Sequence, residues 1–157
     1  MQEIILFLFW TLYLYLIHRW IHVYALKYFP LAFDAHMDHH RYVDVHRDKI
    51  KFHWKNIFLC MDTWKSSLDV WITEVIPTIL FCMLTHQWWI FVFYYLWAVL
   101  LQENLEHNEQ INCYPILSTG LWHLAHHKNP DYNYGLFLPL WDELFHTNQG
   151  LTKTLDN

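Results

Sequence analysis

Histidine is the residue type whose number and spacing in this sequence point most directly to chemistry. Thirteen of the 157 residues are histidine, and four short motifs hold most of them: HxxxH at 18–22, HxxHH at 36–40, ExxxH at 103–107 and HxxHH at 123–127. Random placement would give about 0.1 HxxHH matches in such a chain, yet there are two. Because positions i, i+3 and i+4 share one face of a helix, each HxxHH motif aims three imidazoles at a common point. The pattern predicts a metal site whose ligands come from several helices.

The types and number of the candidate ligands limit which metals the site could hold and how many. The candidate ligands are His18, His22, His36, His39, His40, His107, His123, His126 and His127. Imidazole suits iron, zinc, copper and nickel, but a structural zinc site closes with four ligands. So many histidines therefore favour two adjacent ions, each with an open position. Soluble di-iron bundles use carboxylate sets instead, and here only Glu103 stands at a matching position, as a possible additional ligand or a group acting through water. The three cysteines have no paired spacing, which argues against thiolate sites and a disulfide scaffold.

Three apolar segments, at about 4–28, 68–84 and 88–103, separate and flank these motifs. The first is long enough to cross a hydrocarbon core of about 30 Å. It has no positively charged n-region and no small-residue cleavage site, so we interpret it as a retained membrane helix rather than a signal peptide. The other two predict a membrane hairpin. Ten tryptophans and ten tyrosines are typical of a chain at a bilayer interface.

Three crossings would place the polar segments 30–66 and 104–147, and with them all four motifs, on one side of the membrane. Every lysine and arginine lies on that side or at its boundary, which makes it cytoplasmic by the positive-inside rule. We therefore expect a single all-α domain over 1–157, an integral, multi-pass membrane bundle with a cytoplasmic histidine-rich cap. The alternative is a soluble bundle with very apolar core helices. A net charge of −5 and the lack of a dense basic run argue against nucleic-acid binding.

The order of the motifs resembles the fatty acid hydroxylase/sterol desaturase superfamily. Its members end in a similar histidine box, then Asn-Tyr-Gly, then a Trp-Asp-x-x-Phe-Gly-Thr-like stretch; here these are Asn133-Tyr134-Gly135 and residues 141–147. The resemblance runs from 18 to 147. It implies a membrane-embedded helical fold and a non-haem centre of two iron ions held by the nine histidines. It also implies O2-dependent attack on a C–H bond of a lipid, fatty acyl chain or sterol.

Two positions depart from that pattern. Glu103 stands where relatives often carry a histidine, and His146 replaces the glycine expected after Trp-Asp-x-x-Phe. The chain has no His-Pro-Gly-Gly haem motif, so we expect neither haem nor flavin in it, and electrons would come from cytochrome b5, a ferredoxin or a reductase. Two other functions stay open: a membrane metal-binding or transport protein, and an inactive structural relative. Hydroxylation and desaturation begin with the same hydrogen abstraction, and the sequence does not separate them.

Overall fold

The fold is known from a computed structural model that describes residues 2–46, 53–61 and 63–150, except for the side chain of Glu103. The described part of the chain forms these helices: α1 Gln2–Tyr28, α2 Pro30–His46, α3 Trp64–Thr85, α4 Trp88–Gln102, α5 Leu121–Lys128 and α6 Leu140–Leu144. A 3₁₀ helix, Trp54–Phe58, lies between α2 and α3. The described residues contain no strand, only an isolated bridge between Asn112 and Gly120. The all-α prediction is confirmed.

Two helices, α1 and α3, are long and apolar enough to cross a membrane. The third apolar helix, α4, is shorter than the roughly 20 residues that a straight crossing needs. The fold is consistent with a membrane helical bundle. The number of crossings, and the cytoplasmic position of the polar cap, stay predictions.

Trp10 of α1 lies at the centre of the apolar core and is fully buried. Its indole N–H donates to the Thr78 hydroxyl of α3 at 3.0 Å. Its ring lies 6.3 Å from that of Tyr94 on α4 and 4.7 Å from that of Phe137, measured between centroids. Aromatic pairs at these distances add to the area they bury. The core therefore joins the three apolar helices to the segment that follows α5.

Each of these three helices contains one π-helical segment: Ile21–Ala25 in α1, Trp71–Val75 in α3 and Ala98–Gln102 in α4. A π-helical turn shifts the helical register by one residue, and such turns are frequent at functional sites. The segments lie towards the end of α1, the start of α3 and the end of α4. Because α3 runs antiparallel to α1 and α4, all three segments lie at the same end of the bundle. That end carries the histidines.

Gly120 fixes the entry into α5. Its φ of +64° is one that glycine adopts freely, and a Cβ at this position would lie 2.0 Å from the carbonyl oxygen of Ile111. The next amide, that of Leu121, donates to the same oxygen at 2.9 Å. This close approach directs α5, with its HxxHH motif, towards the end of the bundle.

Candidate metal centre

All nine predicted ligand histidines converge at the end of the bundle, in two adjacent groups. The five-histidine cluster comprises His18, His22, His36, His40 and His126; the four-histidine cluster comprises His39, His107, His123 and His127. Within each cluster every ring places one nitrogen within 4.8 Å of the others. Helices α1, α2 and α5 and the segment after α4 all contribute histidines to these clusters.

Each HxxHH motif is divided between the two clusters. In α2, His36 and His40 face the five-histidine cluster, whereas His39 faces the other one. In α5 the division is reversed, because only His126 joins the five-histidine cluster. The rings of His40 and His127 stack across the boundary with centroids 4.2 Å apart. The clusters are therefore close enough to act on one bound molecule.

His36 lies at the centre of the five-histidine cluster. Its Nε2 is 2.8 Å from Nε2 of His22 and 3.1 Å from Nε2 of both His18 and His40. Two nitrogens that bind one metal at about 2.1 Å and at right angles would be about 3.0 Å apart. The observed spacing is thus that of ligands around a single ion.

In three rings of this cluster, Nε2 faces the other histidines and Nδ1, the outer nitrogen, faces away from them. Each of these Nδ1 atoms contacts a carbonyl or carboxylate oxygen, which accepts a hydrogen bond. The contacts are Nδ1 of His18 to the Tyr134 carbonyl (2.7 Å), Nδ1 of His36 to Oδ1 of Asp69 (2.9 Å) and Nδ1 of His126 to the Tyr132 carbonyl (2.6 Å). A neutral ring that donates through Nδ1 has a bare lone pair at Nε2. Three lone pairs therefore point into one buried space. Nε2 of His126 makes no hydrogen bond there. Such a space fits a cation, because the lone pairs would otherwise repel one another.

The four-histidine cluster has a similar spacing between its rings. Nε2 of His127 lies 3.0 Å from Nε2 of His123, and the rings of His39 and His107 lie 5.2 Å apart between centroids. The outer Nδ1 of His127 is buried and makes no hydrogen bond. The residues of both clusters therefore fit a pair of transition-metal ions held by imidazole.

Burial favours the neutral form of five of these imidazoles. Loss of hydration is the largest cause that lowers the pKa of His126, to about 3, and that of His39, to about 4. Burial also holds the pKa values of His40, His123 and His127 well below the usual range, and neighbouring imidazoles lower them further. Because a metal binds the neutral form, these five rings are ready to bind a metal at neutral pH.

Acid should destabilise the metal-free protein. The unfolded chain binds protons on its histidines below a pKa of about 6.5, whereas folded His126 stays neutral until about pH 3. The unfolded state thus binds more protons between these values, so stability is full above pH 6.5 and falls as the pH drops. His126 alone should cost about 2 kcal/mol between pH 6.5 and 5. Denaturation of the metal-free chain in detergent at both pH values would measure this, and equal stability would contradict it.

Two aspartates outside the histidine motifs support the site. Asp69 of α3 accepts from His36, as described above. Asp142 of α6 is fully buried and accepts from the backbone amides of Tyr134 and Gly135, each at 2.8 Å. The Tyr134 carbonyl in turn holds His18. The Asn-Tyr-Gly and Trp-Asp motifs are therefore one structural unit that orients the ring of His18.

Glu103 and the histidines outside the two clusters are considered next. The side chain of Glu103 lies outside the described residues, so its role as a ligand stays a prediction. His46 donates to the Tyr42 carbonyl of its own helix and belongs to neither cluster. His86 ends α3 at the opposite end of that helix. His146 has a φ of +55°, which explains the glycine expected at its position.

Comparison with known proteins supports the assignment. Delta(7)-sterol 5(6)-desaturase erg3A of Aspergillus fumigatus is 29% identical over 132 residues, which are 83% of this chain and 32% of that protein. The chain thus spans about a third of the length of this relative. No solved structure matches the chain. A family model described as fatty acid hydroxylase matches residues 4–147, nearly the whole chain. The chain, with its ordered histidine motifs, belongs to the fatty acid hydroxylase family.

Proposed function

We propose that this chain is a membrane-embedded di-iron oxidoreductase that uses O2 to hydroxylate or desaturate a C–H bond of a lipid, fatty acyl chain or sterol. The observation that carries the proposal is the pair of adjacent, largely buried histidine clusters, in each of which every ring places one nitrogen within 4.8 Å of the others. The family and the sterol desaturase relative support the substrate class.

The residues would divide the work between two ions. The five-histidine cluster would hold one and the four-histidine cluster the other, with His36 and His127 as central ligands. Bound iron would supply O2 activation and hydrogen abstraction. Tyr134 and Asp69 would keep the rings of His18 and His36 in the ligand tautomer and orientation.

The apolar helices would deliver the substrate from the bilayer. Large apolar side chains such as Ile4 of α1, Leu80 of α3 and Val92 of α4 are exposed on the outer faces of the bundle. Large exposed apolar side chains on these helices suit contact with lipid. We place three crossings in the membrane, with both clusters at the cytoplasmic face. Electrons would then arrive there from cytochrome b5, a ferredoxin or a reductase.

The test is metal analysis of the detergent-purified chain together with product analysis. We expect about two iron ions per chain and a measurable loss in His126→Ala, because that ring has its Nε2 directed into a cluster. Incubation with reductant, O2 and membrane lipids should yield hydroxylated or desaturated products detectable by mass spectrometry. Absence of a bound transition metal, or equal occupancy in the variant, would contradict the proposal. Tight metal binding without any lipid product would favour a metal-binding or transport role.

A further inference from the structure

The proposed centre raises a problem of charge. Each of the nine ligands is a neutral imidazole, so the ligands themselves do nothing to balance two divalent cations. Buried charge without a compensating group is strongly unfavourable. A site of this composition therefore needs negative charge from residues that are not ligands.

A small cavity of about 20 Å³, enough for one or two water molecules, lies against both clusters. Six of the nine histidines line it. The same wall contains three carboxylates, Asp69, Glu74 and Glu106, which are only 4%, 5% and 3% exposed. No lysine or arginine is among the described residues that line it.

The helices place the carboxylates on the histidine side of the bundle. Glu74 lies in the π-helical segment of α3, and Gln102 ends that of α4. The Gln102 side chain donates to Oε1 of Glu74 at 3.1 Å, which orients the carboxylate without adding a positive charge. Glu106 directly precedes the ligand His107 in the sequence. Acidic residues inside apolar segments are costly and therefore point to a functional role.

We propose that Glu74 and Glu106, together with Asp69, provide the counter-charge of the metal pair. Buried beside both clusters, their carboxylates balance the cations that neutral ligands hold, and so they determine metal affinity and the reduction potential of the centre. The proposal rests on the di-iron function proposed above. Glu74 and Glu106 are positioning and charge-balancing residues, not ligands.

Substitutions that remove charge but preserve shape test this role. Asp69 is unsuitable, because its loss would also release the ring of His36. Glu74→Gln keeps an oxygen that can accept from Gln102, and Glu106→Gln is an independent second variant. Glu106→Asp retains the charge. Glu143→Gln makes the same substitution at an exposed glutamate outside the cavity and is the matched control.

The chain would be purified in detergent, stripped of metal, and titrated with Fe²⁺ and with redox-inert Zn²⁺ against a competing chelator. We expect each Gln variant to bind both metals about 10-fold to 100-fold more weakly than the unaltered chain. The iron-loaded Gln variants should also have a higher midpoint potential, because lost negative charge disfavours Fe³⁺ relative to Fe²⁺. Glu106→Asp and Glu143→Gln should remain close to the unaltered chain in both measurements.

The outcomes separate the two proposals. Unaltered affinity and potential in both Gln variants would overturn the counter-charge role. Weaker binding without a change in potential would also overturn it, since that result indicates a structural role only. If the unaltered chain itself fails to bind two iron ions, the proposed function fails, and the counter-charge proposal fails with it. Circular dichroism of each metal-free variant would confirm that the helices form.

Discussion

Replacing His36 with alanine should remove the ion of the five-histidine cluster and leave that of the four-histidine cluster, so that about one metal per chain remains instead of two. The Nε2 atom of His36 is 2.8–3.1 Å from Nε2 of three other rings, which makes it the central donor of its cluster. Its removal also leaves Asp69 buried without its hydrogen-bond partner, a further cost to the site.

The matched variant His39→Ala lies in the same motif, three residues along α2, and should have the converse effect. His39 belongs to the four-histidine cluster, so its loss should spare the ion held by His36. Both variants should lose lipid oxidation, since the proposed reaction needs the two ions together. His46→Ala, on the same helix but in neither cluster, is the control and should keep both ions.

Metal content per chain, with the spectroscopic signature of the remaining ion, measures this directly. The informative result is a different signature in each variant, because each would retain a different ligand set. If both variants retained two ions, the histidines would not be ligands. If each lost both ions, the division of the HxxHH motif between two independent sites would be wrong.

The convergence of the histidines could be predicted from sequence. HxxHH spacing on a helix places three rings on one face, and the apolar segments return the chain to the same end of the bundle. The division between clusters could not. His36, His39 and His40 are equivalent in the motif, and which of them faces which ion depends on how α2 packs on α1 and α5. That packing is a tertiary property with no local signal.

The helix boundaries show the same limit. The second apolar run is predicted at 68–84, yet α3 begins earlier, at Trp64. The hydroxyl of Thr63 accepts from the amide of Ser66 at 2.9 Å and caps the helix in polar sequence. A hydropathy pattern alone does not reveal a helix N-cap. The capped turn extends the helix beyond its apolar part, and the first segment of the helix, Trp64–Val70, packs against α2.

The groups that orient the ligands were the least predictable. Asp69 looks from sequence like an isolated acid at the edge of an apolar run, and its contact with His36 spans 33 positions. Tyr134 acts through its backbone carbonyl, which leaves no mark on side-chain chemistry. Only the Trp-Asp motif gave a signal, through the family resemblance, for the role of Asp142.

Replacing Asp142 with alanine should destabilise the fold more than any other single change in the segment after α5. Its carboxylate is fully buried, and burial raises its pKa to about 6, so it is mostly ionised at neutral pH. It accepts from the amides of Tyr134 and Gly135 and from the hydroxyl of Thr147, all at 2.8 Å. Alanine would leave these buried donors unsatisfied, at a total cost of about 3 to 5 kcal/mol.

The damage should extend to the metal centre through Tyr134. The amide of Tyr134 donates to Asp142, and the carbonyl of the same residue accepts from His18. A loss of this size should lower the thermal midpoint of the detergent-purified chain by on the order of 10 °C. Iron occupancy should fall with it. Asp131→Ala, at an exposed aspartate in the same segment, is the control and should change neither quantity. A stable Asp142→Ala chain with full iron content would show that the segment after α5 packs without this carboxylate and that His18 needs no support from it.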